Sequence, residues 1–553
     1  MPQYLQAVLG QMPRILGQLD RNPWSSTYGC FDRSYWHYRV VDFPCARCQE
    51  AALALVILRQ LPGSEYSGSP FLLRMADSSL DFWAKIQARN GSFSEWYPGE
   101  NSYVATAFST CAAAEALIRL GDKSVSSRER CYGACVRAAE WLMRRREPQV
   151  GNQEAGAIAA LGAVHRLTGE PRYRDEAERK LSALLKQQTS EGWLPEYGGA
   201  DVGYLSVGID YLSRYHRDTG SELALGAIRK AVAFLAALAM PDGSWGGTYA
   251  SRNTEYLDPG GLEAAASLGE RAEFVRSELR ESLANRGSVD LAAMDDRYVL
   301  YSVSSYLYAH EGASSEAEPT AWRPPELQRF RESGIIAVRK GDYTLVVNAR
   351  KGGAFRVVFS NGCSFEDSGV LAETRDRQRL SASWLGSSSL AGMSDDSISV
   401  SGSMSVIRDS VMTFGRLTAL RTIGLAGKVV PALPLAVKQR LRKRLITGRR
   451  SASVDFTRTL EAQEDHLLVR DEIAAKCGLH RIGLGIKAPL IYVPSSRFFQ
   501  KGELNSATVI LTLPPKAPDG PLVIERCFSC RGVDLLRVPP GELDAEGTLR
   551  GEA

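Results

Sequence analysis

The hydrophobic and polar positions up to about residue 325 repeat with the spacing of α-helices. Apolar residues recur three and four positions apart in segments that alternate with loops rich in glycine and aromatic residues. The pattern predicts helices over Cys45 to Leu61, Pro70 to Ala88, Tyr103 to Leu120, Arg130 to Arg146, Asn152 to Leu167, Tyr173 to Gln187, Gly203 to Tyr215 and Ser221 to Ala239. These helices come in pairs, which indicates stacked helical hairpins.

Three loops in this region share a turn followed by aromatic residues. They read NGSFSEWY, EGWLPEY and DGSWGGTY and begin at residues 90, 191 and 242, so their starts are 101 and 51 residues apart. These intervals are close to two and one helical hairpins with their loops. Stacked hairpins form an open solenoid or a closed ring. We favour an (α/α) toroid, an incomplete helical barrel over residues 1–325, with the aromatic loops around a cleft at one end.

After residue 325 the pattern changes to short runs rich in β-branched residues. The runs predict strands over Gly334 to Arg339, Tyr343 to Asn348, Phe355 to Phe359, Ile398 to Met404, Ser453 to Leu460, His466 to Ile473, Ala507 to Leu513 and Leu522 to Cys527. Because no helices separate most of them, the strands should be antiparallel. Residues 326–553 are therefore expected to form an antiparallel β-sandwich domain.

The charge is unevenly distributed. The chain has 67 basic and 63 acidic residues, a net charge of +4, yet residues 413–450 hold ten Lys or Arg and no Asp or Glu. This basic insertion predicts a helix-turn-helix, with Leu435 to Ile446 amphipathic. Three interpretations stay open: it lies on an anionic membrane, it gathers a polyanionic polysaccharide, or it is a solvated insertion. Nucleic acid is not expected, because no known binding fold frames the segment.

The first thirty residues lack the features of a secretory signal, and no stretch approaches the roughly 20 apolar residues of a transmembrane helix. A cytoplasmic protein, peripheral to the inner membrane if the basic insertion binds lipid, is expected. The ten cysteines predict mostly reduced, buried thiols. The pairs Cys45/Cys48 and Cys527/Cys530 could form a zinc site only if the chain ends met, so neither a metal nor a cofactor is expected.

Two neighbouring motifs resemble a known family. The run FDRSYWHYR over residues 31–39, followed by DFPCARCQE over 42–50, resembles the aromatic stretch near the start of heparinase II/III-like proteins associated with bacterial surface polysaccharides. A helical toroid followed by antiparallel sheets is also similar to the polysaccharide lyases of this group. In those lyases an Asn, often followed by His, precedes the catalytic Tyr by a spacing close to the 52 residues between Asn152 and Tyr204. Gln153 stands where several relatives have His.

The resemblance implies β-elimination on a uronic-acid polymer. Removing the C5 proton is difficult because it lies beside an ionised carboxylate, so a neutral amide or a cation must stabilise the charge that develops. On this hypothesis Asn152 and Gln153 hold the carboxylate and Tyr204 is the acid and base. His310 is a weaker catalytic candidate, because some relatives place a catalytic His late in the chain.

Further residues are candidates for binding the polymer. Those on the cleft loops or near the aromatic motif are Glu95, Trp96, Trp193, Trp245, Arg252, Asn253, Tyr256 and His37. Stacking on sugar suits the aromatic rings, although packing between loops explains them about as well. Likewise, Asn152 could be a helix cap and Tyr204 a core residue.

Two other functions compete with elimination. The toroid also hosts glycosidases with paired carboxylates, for which the candidates are Glu95, Glu196, Asp201, Asp210 and Glu255. The chain could instead be a non-catalytic polysaccharide-binding protein of an assembly or export system. Elimination leaves a conjugated double bond that absorbs in the ultraviolet, whereas hydrolysis does not. The sequence identifies neither the sugar nor the oligomeric state.

Overall fold

The protein is analysed as a computed structural model. It describes residues 2–121, 127–285, 287–313, 320–407, 412–426, 432–443, 448–487, 498–499, 503, 508–515, 520–546 and 549–550. Ala507, predicted to begin a strand, and residues 444–446 of the predicted amphipathic helix lie outside this set. No helix among the described residues is both long and apolar enough to span a membrane.

The N-terminal part consists of two concentric layers of helices. Within the described residues the inner layer contains α3 (Ala51–Gln60), α5 (Tyr103–Leu120), α7 (Gly151–Thr168), α9 (Val202–Thr219), α11 (Pro259–Ala265) and α13 (Asp296–Gly312). The outer layer contains α1 (Pro2–Gln18), α4 (Pro70–Lys85), α6 (Arg128–Met143), α8 (Pro171–Leu185), α10 (Glu222–Ala236) and α12 (Glu270–Asn285). The short helix α2 (Arg33–Trp36) and a 3₁₀ segment (Ala46–Glu50) precede α3.

The inner helices close into a ring. Each packs on the next, and α13 packs on α3, so the ring has no open side. Each inner helix is joined to an outer helix that returns along the wall, and the inner helices therefore run parallel. The predicted (α/α) toroid is confirmed. The sequence pattern missed α1 and α11 to α13. Like α5 and α7, α13 is buried around most of its circumference, but many of its buried residues are Ser or Tyr and give no apolar signal.

The three related loops have the same construction. Their turn glycines Gly91, Gly192 and Gly243 have φ values of 91°, 101° and 72°, which side chains rarely adopt. A Cβ on Gly91 or Gly192 would lie 2.3 or 2.2 Å from a backbone carbonyl oxygen of α6 or α10. A Cβ on Gly243 would lie 2.9 Å from the Cβ of Ser282 on α12. The repeated glycine therefore allows each loop to pack against an outer helix.

Replacing Gly192 with alanine should lower the free energy of unfolding by more than about 1 kcal/mol, because the substitution adds both backbone strain and a steric clash. The matched control is Gly226→Ala, since a Cβ on Gly226 inside α10 meets nothing within 4 Å. That control should raise stability by up to about 1 kcal/mol. Urea denaturation of both variants measures the difference, and an unchanged Gly192→Ala protein would contradict the assigned loop packing.

The C-terminal part contains two sheets. The small sheet has the antiparallel order β1-β2-β3-β4-β5 and consists of β1 (Leu327–Arg329), β2 (Ile335–Lys340), β3 (Tyr343–Asn348), β4 (Ala354–Phe359) and β5 (Ser364–Asp367). The large sheet has the order β16-β13-β12-β6-β7-β9-β10-β11-β14-β15-β17, with β8 also paired to β9. All its pairs are antiparallel except β15 with β17, which is parallel.

The strands of the large sheet lie on both sides of the basic insertion in the chain. They are β6 (Leu371–Thr374), β7 (Arg379–Ser381), β8 (Ser388–Met393), β9 (Ser397–Val406), β10 (Ser451–Ala462), β11 (His466–Ala475), β12 (Leu479–Leu484), β13 (Thr508–Thr512), β14 (Leu522–Ser529), β15 (Gly532–Arg537), β16 (Glu542–Glu546) and β17 (Leu549–Arg550). The insertion connects β9 to β10 and contains α14 (Phe414–Ala426) and α15 (Ala432–Arg442). The predicted pair of helices in the insertion is therefore present.

The small sheet lies between the toroid and the large sheet. Ile335 and Ala337 on β2 belong to the core of the toroid, whereas the alternating Ile336 and Val338 pack in a second core with β9, β10 and β11. Alternate side chains of a strand point to opposite faces of its sheet. One face of the small sheet is therefore buried against the toroid and the other against the large sheet. The predicted toroid followed by packed antiparallel sheets is confirmed, and the small sheet fixes the position of the β-domain at the toroid.

Candidate active site

The N-termini of the inner helices lie together at one end of the toroid, where the three related loops also lie. This follows from the parallel course of the inner helices. The N-terminus of each helix carries unpaired N–H groups and about half a positive charge. The end of the toroid is therefore suited to an anionic ligand before any side chain is considered.

Asn152 and Tyr204 lie on neighbouring helices at this end. Asn152 is in the first turn of α7 and Tyr204 in the first turn of α9, and the two helices pack together. A Cβ on Gly208, one turn after Tyr204, would lie 3.8 Å from the Cα of Asn152. The 52-residue spacing thus corresponds to adjacent positions in the ring, because it spans one inner helix, one outer helix and their loops.

The structure also bears on the two alternative roles of these residues. Val150 is the N-cap residue of α7, so Asn152 is not the cap. The Asn152 amide instead donates a hydrogen bond of 2.7 Å to Oε2 of Glu196. Tyr204 is only partly buried, although most residues of the first two turns of α9 are buried. Neither side chain therefore occupies the purely structural position considered from the sequence.

Glu196 is a buried acid beside Asn152. Its side chain is 3% exposed, and burial followed by the nearby charge of Asp201 raises its pKa well above the usual range for glutamate. Arg252 and the Asn152 amide act in the opposite direction but do not cancel the effect. Glu196 therefore tends to hold a proton, which makes it a neutral hydrogen-bond donor in the site.

Asp201 fixes the geometry between the two loops. It is the N-cap of α9, where its Oδ1 accepts the backbone N–H of Tyr204 at 3.2 Å. Its Oδ2 accepts the backbone N–H of Arg252 at 2.8 Å, and Thr254 also donates to it through its hydroxyl. Asp201 thereby ties the start of α9 to the 252–254 loop and positions the candidate catalytic tyrosine relative to Arg252.

Two arginines contact the ring of Tyr197. The guanidinium of Arg252 lies 4.7 Å from the ring centroid and that of Arg442, on α15, lies 5.3 Å from it. Arg442 also forms a bidentate ion pair with Glu147, with distances of 2.9 and 2.7 Å. Tyr197 has a φ of 53°, a backbone conformation that is costly for a non-glycine residue. The basic insertion therefore reaches the loops that contain Glu196.

Lys351 joins the β-domain to the loop of the toroid that contains Arg252. The residue follows β3, and its ammonium donates to the backbone carbonyl of Thr248 at 2.7 Å and to Oδ1 of Asn253. Burial lowers the pKa of Lys351 to about 7. Asn253 has a φ of 57°, so a second strained loop residue lies in this region. Asn253 is consequently held by an interdomain contact, which is consistent with a positioning role for this predicted binding residue.

Gln153 and Tyr256 are also near the paired helices. Gln153 follows Asn152 in α7 and is partly exposed. Tyr256 is 2% exposed, and burial followed by its proximity to Tyr204 raises its pKa well above the usual range. A Cβ on Gly203 would lie 2.8 Å from the carbonyl oxygen of Tyr256, so this segment packs on the first turn of α9. The Tyr256 ring itself packs against Tyr298 and Phe498 and exposes almost no surface to a polymer.

The aromatic residues of the loops have different positions. Trp96 is 46% exposed, with the guanidinium of Arg297 at 4.8 Å from its ring, so it remains a candidate for stacking on sugar. Trp193 is 5% exposed and Trp245 is fully buried, where its indole N–H donates to the carbonyl of Leu235. The predicted stacking of sugar on Trp193 and Trp245 is wrong, because these rings hold the loops in the core.

Glu95 and His37 lie elsewhere around the ring of helices. Glu95 is 3% exposed and pairs with Arg47 at 3.8 Å, which makes it part of the buried packing before α5. His37 lies at the end of α2, with Trp36 and Tyr38 at ring-centroid distances of 5.1 and 4.9 Å. Sugar binding by these two residues stays a prediction.

His310 is at the opposite end of the toroid. It lies in the last turn of α13, whereas Arg297, which contacts Trp96, lies in the first. Thirteen residues of α-helix separate them, a rise of about 20 Å. The structure therefore does not bring His310 together with Asn152 and Tyr204, and its catalytic role stays a prediction. His310 is instead near a cavity of about 360 Å³ lined by Arg119, Arg217 and Tyr308.

The carboxylates required by a hydrolase are largely engaged in other contacts. Asp210 pairs with Arg214 at 2.7 Å and accepts a hydrogen bond from Ser305 inside the ring. Glu255 pairs with Lys487 at 2.8 Å at the interface with the β-domain. Asp201 caps α9 and holds the adjoining loop. Of the five acids considered, Glu196 is the one beside both Asn152 and the loop of Arg252.

Glu255 should make stability depend on pH. Burial followed by the negative charge of Glu366 raises its pKa to about 8, against an ordinary value of 4.5. The folded state therefore retains a proton that the unfolded state loses, so this contribution to stability is complete below pH 4.5 and decreases as the pH rises to 8. The melting temperature of Glu255→Gln should consequently fall less steeply than that of the wild type across this interval.

The control for this prediction is Glu464→Gln, which changes a carboxylate whose side chain is 79% exposed. Calorimetry at several pH values gives the slopes for all three proteins. A Glu255→Gln slope equal to those of the wild type and the control would contradict the assigned protonation.

The described residues contain no group of three or more His, Cys, Asp or Glu side chains suited to hold a metal ion. Cys45 and Cys48 are buried at the start of the 3₁₀ segment before α3. Cys527 lies on β14, and Cys530 is exposed after that strand. The two pairs thus belong to different domains.

Several residues of the site were not identified from the sequence. Lys351 and Arg442 had no assigned role, Glu196 was considered only for hydrolysis, and Tyr197 was considered only as one of the loop aromatics that could stack on sugar. Arg442 belongs to the basic insertion, whose charge was visible, but its position over Tyr197 depends on how the two domains pack. The local signal for Tyr197 is its place at the end of the repeated aromatic loop, before Gly198, and both residues have left-handed backbone conformations.

The architecture is similar to that of solved polysaccharide lyases. The chondroitin AC lyase of Streptomyces coelicolor A3, solved with chondroitin sulphate, superposes with a TM-score of 0.51 at 12% sequence identity. The match covers 87% of this chain and 67% of that enzyme. The chain has the fold of a polysaccharide lyase.

Two further lyase structures match less closely. A xanthan lyase of Paenibacillus has a TM-score of 0.48 at 10% identity, with 95% of this chain and 51% of that chain covered. Heparinase III has a TM-score of 0.47 at 11% identity, with coverage of 94% and 87%. The chain thus spans about half the length of the xanthan lyase. No family model matches the sequence, and no curated protein matches it either.

Proposed function

We propose that the protein is a polysaccharide lyase that cleaves a uronic-acid-containing exo- or capsular polysaccharide of bacteria by β-elimination. The observation that carries this proposal is the placement of the Asn152 amide and Tyr204 on adjacent first turns, at the positive end of the helical ring. The fold of chondroitin AC lyase supports the same class of reaction.

The first requirement of elimination is to reduce the negative charge of the substrate carboxylate. The Asn152 amide donates one hydrogen to Glu196 and has a second, which we assign to a carboxylate oxygen. Glu196, protonated because of its raised pKa, is a neutral partner for the other oxygen. Together with the helix N-termini, these donors stabilise the charge that develops when the C5 proton leaves.

The second requirement is a base and an acid close to the scissile bond. We assign both to Tyr204, which is partly exposed one turn from the contact between Gly208 and Asn152. As a phenolate it takes the C5 proton, and as a phenol it then protonates the oxygen of the departing sugar. Arg252 lies on the adjoining loop that Asp201 fixes, and its positive charge favours an acidic substrate.

The positions of the acids favour elimination over hydrolysis. A glycosidase needs two carboxyl groups that face each other across the glycosidic bond. Asp201 caps α9, Asp210 pairs with Arg214, and Glu255 contacts Lys487 at the interface with the β-domain. Glu196 has the Asn152 amide as its immediate neighbour. An amide beside a protonated acid suits the neutralisation of a carboxylate.

Incubation with a panel of acidic bacterial polysaccharides tests the proposal. Glucuronate, mannuronate and N-acetylgalactosaminuronate polymers, with and without acetyl groups, are followed by ultraviolet absorbance and by release of reducing ends. We expect one or more polymers to give both signals. Reducing ends without absorbance would establish hydrolysis instead, and polymer binding without either signal would establish the non-catalytic alternative.

A further inference from the structure

The helix α14 of the basic insertion carries unusually exposed apolar side chains. Phe414 is 86% exposed, Leu417 40% and Leu425 62%, and Met412 just before the helix is 53% exposed. Large apolar residues on a helix normally bury such surface. Four of them within fourteen residues form an apolar surface that the rest of the described chain leaves uncovered.

Contacts with the toroid fix the orientation of α14. Arg421 pairs with Asp42 at 2.8 Å, and its guanidinium lies 5.6 Å from the ring centroid of Phe43. Gly424 packs against the 98–99 backbone, where its carbonyl oxygen would lie 3.3 Å from a Cβ on Gly99. The adjoining helix α15 is anchored by the ion pair of Arg442 with Glu147. The insertion is therefore docked on the protein while the apolar residues face outward.

A second segment extends this apolar surface. Asp42, the partner of Arg421, follows a short stretch in which Tyr38 is 60% exposed and Val40 74% exposed. Arg39 between them adopts a left-handed conformation with a φ of 54°. The contacts of Arg421 with Asp42 and Phe43 thus bring this segment to α14, so two distant parts of the sequence contribute exposed apolar and aromatic side chains to one region, as in proteins that insert side chains into a lipid interface.

The surroundings of this surface are strongly basic. Residues 413–450 contain ten Lys or Arg and no Asp or Glu. Among the described ones Arg416, Arg440 and Lys443 are exposed. Basic residues around exposed apolar side chains are the combination that anionic lipid headgroups and the acyl boundary attract together.

We propose that α14 and the 38–42 segment form a docking surface for an anionic lipid membrane. An acidic polysaccharide would pair with the arginines but would leave Phe414, Leu417 and Leu425 in water. A second copy of the chain would bring two basic surfaces together, which is electrostatically unfavourable. A membrane with anionic lipids removes the apolar side chains from water and also pairs its headgroups with the basic residues.

The docking surface is close to the candidate active site. The insertion rests on the loop before α5 through Gly424 and on the segment before α7 through Arg442, and both loops border the end of the toroid that holds Asn152. Membrane docking would therefore place this end of the toroid beside the lipid surface. The surface is inferred from exposure and charge alone and does not depend on the proposed lyase reaction.

Vesicle sedimentation with the full chain tests the proposal. We expect binding to vesicles that contain phosphatidylglycerol, little binding to pure phosphatidylcholine, and weaker binding at high salt because salt screens the charges. The double variant Phe414→Ser/Leu417→Ser should bind at least about tenfold more weakly, since two large apolar side chains no longer enter the interface. The double variant Arg440→Glu/Lys443→Glu should weaken binding to the anionic vesicles and leave the little binding to pure phosphatidylcholine unchanged.

The matched control is Leu223→Ser, which removes an apolar side chain that is 52% exposed on the outer helix α10. Its vesicle binding should equal that of the wild type. Equal binding of the wild type and the Phe414→Ser/Leu417→Ser variant would overturn the proposal. Binding of the wild type to acidic polysaccharide but not to vesicles would also overturn it. So would a wild-type protein that binds no vesicles but forms a dimer, if the Phe414→Ser/Leu417→Ser variant is monomeric.

Discussion

Replacing Tyr204 with phenylalanine should lower the rate of polymer cleavage by about a thousandfold or more. The substitution removes a single hydroxyl, the group to which we assign both the removal of the C5 proton and the protonation of the leaving oxygen. Tyr204 is partly exposed and its backbone N–H is held by Asp201, so the fold should be retained. Initial rates of ultraviolet absorbance on the responsive polymer measure the effect.

The control is Tyr132→Phe on the outer helix α6, where the side chain is 37% exposed. Its cleavage rate should match the wild type, and both variants should melt at similar temperatures. A Tyr204→Phe enzyme with undiminished activity would show that another group transfers the proton. Unchanged polymer affinity in this variant would place the loss in the chemical step.

Replacing Asp367 with asparagine should destabilise the β-domain by about 3–5 kcal/mol. Asp367 is fully buried between Arg458 and Arg526, which are also fully buried, at distances of 3.1 and 2.6 Å. Burial alone would raise the pKa of Asp367, but the two arginines hold it well below its usual range. The substitution leaves two guanidinium groups with Asp471 as their remaining carboxylate partner in this cluster.

Denaturant unfolding, monitored by circular dichroism, measures this loss of stability. The control is Asp465→Asn, a carboxylate that is 84% exposed beside His466, and its effect should be small beside that of Asp367→Asn. Should Asp367→Asn be too unstable to purify, Arg458→Met/Asp367→Leu removes a cation together with its carboxylate partner and should recover part of the loss. Equal effects of Asp367→Asn and the exposed control would contradict the importance of the buried cluster.

The architecture was largely predictable because its main elements have a strong local signal. The helices from α3 to α10 are either amphipathic or, as in α5 and α7, continuous runs rich in alanine and other small or apolar residues. The three loops repeat a glycine that contacts an outer helix. The strand β3 was predicted with its observed bounds, Tyr343–Asn348. In contrast, α13 was missed because many of its buried residues are Ser and Tyr, which do not mark an apolar segment in the sequence.

The candidate site was predictable only in part, for a physical reason. Asn152 and Tyr204 could be paired because the resemblance to the lyases implied their spacing, and that spacing corresponds to one helical hairpin and so to adjacent positions in the ring. The side chain that bonds to Asn152, Glu196, is set by the conformation of a loop, and the contacts of Lys351 and Arg442 arise from interdomain packing. The aromatic pattern misled for Trp193 and Trp245, because an indole that anchors a loop and one that binds sugar have the same sequence signal.

Mass spectrometry of the products from a defined fragment of the responsive polymer tests the central claim most directly. Elimination moves a proton and breaks a carbon–oxygen bond without adding water. The account therefore predicts two products whose masses sum to that of the substrate, one of them carrying the ultraviolet-absorbing double bond. Products whose summed mass exceeds that of the substrate by one water molecule would contradict it and identify the protein as a hydrolase.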